Sequence, residues 1–111
     1  MLKQRFTNYI NAYADMNINV VTSMFADEIL LRDWKISVTG KHAAVEETRK
    51  NFAASQSINI DILRLFESDN GVAGELKIVV NESEVLFVTD VITFDKAGKI
   101  ISIRAYIGRD D

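Results

Sequence analysis

Asp90 is the residue whose surroundings ask for a chemical explanation. It lies within EVLFVTDVITF, residues 84–94, where Leu86, Val88, Asp90, Ile92 and Phe94 share one face of an extended strand because successive side chains alternate. The opposite face reads Val85, Phe87, Thr89, Val91 and Thr93. Both faces are largely apolar, so the sheet is expected to be covered on both sides. A carboxyl on a covered face costs free energy unless it is hydrogen-bonded, protonated or put to use. Other chemistries are scarce. With no cysteine there is no disulfide, thiolate or cysteine-ligated metal. The single histidine, His42, excludes a multi-histidine metal site and argues against a Ser–His triad. What could need a carboxyl at position 90 is left open by these residues.

The elements that must position Asp90 follow from periodicity. Leu2, Phe6, Tyr9, Ile10 and Tyr13 recur at helical spacing and predict an amphipathic helix over 2–14. Asn17 is the expected N-cap of a short second helix with Val20, Val21, Met24 and Phe25 on its apolar face. A first strand is expected from Glu28 to Trp34, with Asp33 near its end and Lys35–Val38 extending or turning from it. Thr39-Gly40 opens a third helix over 41–54, with Ala44, Val45, Thr48 and Phe52 on one side. From Ile58 the period becomes that of strands. One runs to Glu67, a second from Val72 to Val80, and turns fall at Ser68–Gly71 and Asn81–Ser83. A long hairpin closes the chain through the turn Asp95-Lys96-Ala97-Gly98. On its last strand Ile101, Ile103, Ala105 and Ile107 are expected on one face, with Ile100, Ser102, Arg104 and Tyr106 on the other. Whether Glu75 and Lys77 or Leu76 and Ile78 face inward stays open. Segregated helices and strands joined by tight turns make an α+β fold whose sheet is mainly antiparallel.

The chain has 111 residues, enough for a single domain with one core. Hydrophobic residues reach 48%, which excludes a disordered tail. Thirteen basic against sixteen acidic residues offer no footprint for nucleic acid or an anionic membrane. No apolar run suggests a transmembrane span and no signal peptide precedes the first helix, so a cytoplasmic protein is expected. No metal or cofactor is expected. The outer sheet face, with Phe87, Val91 and Tyr106, suits a second subunit, so a homodimer is expected.

Two segments, NYINAYADMNINVVTSMFADEILLRD and TDVITFDKAGKIISIRAY, resemble the ketosteroid isomerase branch of the nuclear transport factor 2-like (SnoaL-like) superfamily. The likeness spans residues 6–107. It rests on a helix pair ending in Met-Phe-Ala-Asp, a Gly-initiated third helix and a Phe-Asp-x-x-Gly-Lys-Ile hairpin. The resemblance implies a cone-shaped α+β barrel, with three N-terminal helices and a curved antiparallel or mixed sheet enclosing a pocket. It also implies a tyrosine donor in the first helix, a base at the end of the first strand, and an acid on the penultimate strand. Tyr9, Asp33 and Asp90 match these positions. In that chemistry Asp33 removes a proton beside a carbonyl and returns it elsewhere, while Tyr9 and a protonated Asp90 donate to the dienolate oxygen. An apolar strand face favours the protonated carboxyl by desolvating the charged one. Leu86, Val88, Ile103, Ala105 and Ile107 would wall the pocket for a small apolar substrate, with Tyr13, Trp34 and Thr48 also facing it.

The chain departs from that pattern. Glu47 and Thr48 stand where steroid-handling relatives carry aromatics, Ile107 where some have a tryptophan, and Trp34 where proline is frequent. Plainer readings stand beside these assignments. Tyr9 also fits a core tyrosine, Asp33 a turn cap, and Asp90 a carboxyl bonded to backbone or to Tyr9. His42 reads as a solvated first-turn residue, and Glu46-Glu47 and Asp110-Asp111 as solvated charge. Two function classes follow. One is a cofactor-independent isomerase, or a related cyclase, dehydratase or epoxide-opening enzyme. The other is a non-catalytic ligand-binding or dimerisation module, its pocket plugged by Tyr13, Trp34 and Phe52.

Overall fold

A computed structural model describes residues 1–109 of the chain; Asp110 and Asp111 lie outside the described residues. Helix α1 spans Leu2–Ala14 and buries Phe6, Tyr9, Ile10 and Ala12, the stripe its periodicity predicts. Asn17 caps α2, Ile18–Met24, its Oδ1 accepting from Val20 N at 3.2 Å. Such a cap satisfies one of the donors that a helix start leaves without a partner. Strand β1 then runs Phe25–Arg32, shifted toward the N-terminus from the expected 28–34. Asp33 sets its end: Oδ1 accepts from the backbone N–H groups of Lys35 (2.7 Å) and Ile36 (2.9 Å). These bonds compete with continued strand pairing and fold the chain back. The returning segment, Ser37–Thr39, is a separate short strand β2. Gly40, at φ 97°, turns the chain into α3, Lys41–Ala53, a conformation costly for a residue with a Cβ.

The remaining strands are β3 Ile58–Glu67, β4 Gly71–Val80, β5 Glu84–Phe94 and β6 Ile100–Ile107. The sheet order is β2-β1-β6-β5-β4-β3. Among the described residues only the β1–β6 pair is parallel, so the sheet is mixed. It curves around the helices but β2 and β3 are not paired to each other, so the expected barrel is an unclosed cone.

Strand register decides which side chains enter the cone. On β5, Val88, Asp90, Ile92 and Phe94 are buried, as alternation requires. On β4, Leu76 pairs with Val88 and Ile78 with Leu86, so these two face inward and Glu75 faces out, where Arg64 Nη1 meets its Oε1 at 2.9 Å. One expectation for β6 is corrected. Ile100, not Ile101, is fully buried, opposite Phe94. A register shift between Thr93 and Phe94 leaves Ile101 as the extra residue, two residues set against one, so Ser102 pairs with outward Thr93 and Ile103 with inward Ile92.

The core sits where α1 crosses β3 and β4. A Cβ at Gly74 would lie 2.3 Å from Phe6 Cζ, so the absent side chain is what lets the fully buried Phe6 ring rest on the sheet. Burying that ring contributes about 2–3 kcal/mol. The tight approach fixes the height of α1 above the strands, and with it the height of Tyr9, three residues on.

Candidate active site

A cavity of about 360 Å³ lies between α1, α3, the Asp33 turn and the concave face of β3–β6. Its deep end is lined by buried Tyr9, Ile10, Thr48, Leu76, Val88, Asp90 and Ile103. Its outer end is lined by the exposed residues Trp34, Ala54, Asn81 and Glu84. Asp90 is opposite Gly74 on β4 and Ala105 on β6. The space over Gly74 is taken by the Phe6 ring, while Ala105 lines the cavity beside the carboxyl.

Asp90 is 9% exposed. Among the described residues its carboxyl makes no hydrogen bond, and neither does the Tyr9 hydroxyl. Yet among the described residues no buried side-chain oxygen or nitrogen is both sealed from solvent and unpartnered. Both groups therefore open onto the cavity. The plain reading of Asp90 as a carboxyl bonded to backbone or to Tyr9 does not hold. Burial first, and the negative charge of Asp33 second, push its pKa up to about 7, because desolvation and a like charge both disfavour the anion. Burial, then Tyr13 and Asp90, push the Tyr9 phenol well above its usual range, so it keeps its proton as a donor. Tyr13 is raised too, by burial and by Asp90 and Asp33, against a hydrogen bond from Asn51 that lowers it.

Asp33 plays the part its plain reading gave it and also lines the cavity. One oxygen, Oδ1, takes both turn bonds, which hold the carboxyl at the end of β1. Trp34, 42% exposed, and Tyr13 line the cavity without filling it. Phe52 packs edge-on against Tyr13, centroids 4.9 Å apart, so the plug of Tyr13, Trp34 and Phe52 is not formed. Thr48 lines the deep end, its hydroxyl donating to Ala44 O at 2.9 Å. Leu86, Val88, Ile103 and Ala105 are on the wall as expected. Ile107 is not. It is the last residue of β6, 43% exposed, and faces a separate hollow with Phe87 and Arg109.

The model of the SnoaL-like domain matches residues 6–103. The chain belongs to the SnoaL-like family. No curated protein matches it. Solved structures share the fold at low identity. An epoxide hydrolase/cyclase-like enzyme, SalBIII, described in pyran ring formation in the polyether salinomycin, is 22% identical with a TM-score of 0.84, covering 98% of this chain and 92% of that one. A nuclear transport factor 2-like protein of unknown function from Cytophaga hutchinsonii is 15% identical, TM-score 0.81, covering 97% and 90%. A computationally designed binder of 17-OHP is 15% identical, TM-score 0.82, covering 96% and 92%.

In this SnoaL-like chain the cavity also takes in one residue whose direction the sequence left open and one that sequence reasoning missed. Glu47, whose direction the sequence left open, lines it while bonded to Lys50 Nζ at 3.1 Å. Asn51 lines it as well. The signal for both was present: Glu47 and Asn51 are four apart on α3 and flank Thr48, so they share a face. No helix among the described residues is long and apolar enough to cross a membrane.

Proposed function

We propose that this protein is a cofactor-independent acid–base enzyme that isomerises a small apolar carbonyl compound. Asp33 takes a proton from the carbon beside the carbonyl and returns it further along the conjugated system. Tyr9 and protonated Asp90 donate hydrogen bonds to the oxygen as it gains negative charge, in a site where such donors act with little competition from water. The observation that carries this reading is the pair of unpartnered oxygens, Asp90 and Tyr9, opening onto an otherwise apolar cavity floor. A structural role would have given them protein partners.

A second reading draws on SalBIII, the epoxide hydrolase/cyclase-like likeness. Asp90 would give its proton to an epoxide oxygen while Asp33 takes the proton of an attacking hydroxyl, so one C–O bond forms as another breaks. The test is direct. Incubation with a β,γ-unsaturated ketone is expected to raise ultraviolet absorbance as the conjugated enone forms. A hydroxy-epoxide consumed in place of the ketone would favour the second reading. Binding of both without turnover would leave a non-catalytic module. Such an enzyme would work in the cytoplasm as a homodimer through the outer sheet face, where Phe66 is 63% and Tyr106 46% exposed; sedimentation at twice the chain mass is expected.

A further inference from the structure

The cavity holds a second polar pair away from its floor. Tyr13 is one helical turn beyond Tyr9 on α1, the ring centroids 6.0 Å apart. Its edge-on contact with Phe52 fixes the ring. Its oxygen accepts from Asn51 Nδ2 at 3.1 Å. A phenol oxygen that accepts in this way still has its own hydrogen to give. Among the described residues no protein group receives that hydrogen, and none donates to Asn51 Oδ1. Both side chains line the cavity. The neighbouring Thr48 hydroxyl is already engaged with Ala44 O, so it does not compete for a ligand's acceptor.

We propose that Tyr13 and Asn51 form a second subsite that recognises a hydroxyl carried by an otherwise apolar substrate, at a distance from the oxygen held on the floor. The pair presents one O–H donor and one amide acceptor. A hydroxyl uses both, a carbonyl uses only the donor, and a bare ring edge leaves both without partners. The substrate class is therefore a hydroxylated carbonyl compound, or a hydroxy-epoxide. Burial and the two carboxyls keep the Tyr13 phenol protonated. The proposal rests on the reading of Tyr9 and Asp90 as the site of the first oxygen, and the experiment separates the two.

Calorimetric titration with 2-naphthol and with its ring-hydroxylated naphthalenediols serves this purpose. 2-Naphthol offers one oxygen to Tyr9 and Asp90; a diol of suitable spacing offers a second to Tyr13 and Asn51. At least one diol is expected to bind roughly 3- to 10-fold tighter than 2-naphthol. In Tyr13→Phe and in Asn51→Leu that ratio is expected to fall to near one, while Tyr9→Phe weakens both ligands in parallel. Asn51 is exposed, so its substitution tests the subsite even if the Tyr13 variant misfolds. No diol binding tighter than 2-naphthol, or a preference that survives both substitutions, overturns the subsite. A diol preference lost in Tyr13→Phe alongside indifference to Tyr9→Phe upholds the subsite and overturns the floor reading. Failure of every naphthalene to bind overturns both.

Discussion

The two faces of one sheet treat polar side chains in opposite ways. On the convex face several have protein partners. Arg64 meets Glu75 at 2.9 Å, Arg32 Nη1 donates to the Tyr106 hydroxyl at 3.3 Å and its guanidinium lies 5.6 Å from that ring centroid, and Thr93 bonds Ser102, which also accepts from Arg104. On the concave face, Asp90 is buried and opens onto the cavity. Solvent would have satisfied the convex groups without help. The interior offers no such relief, yet it is there that the carboxyl and the Tyr9 hydroxyl are left without protein partners. The same contrast separates two turn aspartates. Asp95 Oδ1 accepts from Ala97 N and Lys99 N, both at 2.9 Å, much as Asp33 holds its own turn. Only the Asp33 turn borders the cavity. One local structure thus serves as a plain turn in one place and as a mount for a candidate base in the other.

The sharpest way to break the contrast between the two turns is Asp33→Asn. The amide keeps a carbonyl oxygen for the Lys35 and Ile36 N–H groups, so the turn and the melting temperature should be nearly unchanged. The basic oxygen is gone, and turnover of the ketone should drop by about 10²- to 10⁴-fold. An equal small effect in Asp95→Asn and Asp33→Asn would return Asp33 to a purely structural role.

Asp90→Asn tests the cost of the unpartnered carboxyl. Unfolded, Asp90 titrates near its ordinary value; folded, near about 7. Between those values the folded chain binds the extra proton. Its contribution to stability is therefore present at pH 4 and lost as pH rises through about 7. The penalty at pH 8 is roughly 2–4 kcal/mol relative to pH 4. Denaturant titrations of Asp90→Asn should lack this decline, so the variant should gain on the parent as pH rises. The parent's turnover should fall above about pH 7 as the donor is lost. A parent and variant with parallel stability profiles would mean that Asp90 is better solvated than its burial indicates.

Next in size is Gly74→Ala. The new Cβ would meet Phe6 and also Leu65 Cδ2 at 3.0 Å, and overpacking of this kind costs on the order of 1–3 kcal/mol. The effect should extend to the site. Lifting Phe6 lifts Tyr9 on the same helix, so ligand affinity should weaken along with thermal stability.

Gly74 also marks where the sequence stops being informative. Helix α1, the Asn17 cap and the inward face of β5 could be read directly, because each is set by spacing within a few residues. Family likeness supplied Tyr9 and Asp33, which no local pattern distinguishes from a core tyrosine and a turn cap. What was not legible depends on pairing. The Ile101 bulge and the inward choice of Leu76 over Glu75 are settled by register between strands, and a one-residue shift reverses every side chain; Ile107 is excluded because β6 ends there, beyond the cavity. The direction of Glu47 stayed open for a different reason. A glutamate one residue from the buried stripe of α3 can reach either solvent or a cavity, and its bond to Lys50 is compatible with both.

The smallest effect is expected on the convex face, from Arg64→Ala. The ion pair it breaks has side chains 64% and 43% exposed. Water screens such a pair and both long side chains lose freedom in forming it, so its removal should cost about 0.2–1 kcal/mol, less at high salt. Turnover and ligand affinity should not move, since Glu75 and Arg64 face away from the cavity. The informative measurement is the melting temperature of parent and Arg64→Ala at low and high salt. Two curves that converge as salt rises would place the pair's contribution in solvent-screened charge. A loss larger than that of Gly74→Ala, persisting at high salt, would mean that the convex face is desolvated by something seated on it, as the proposed homodimer requires at its centre.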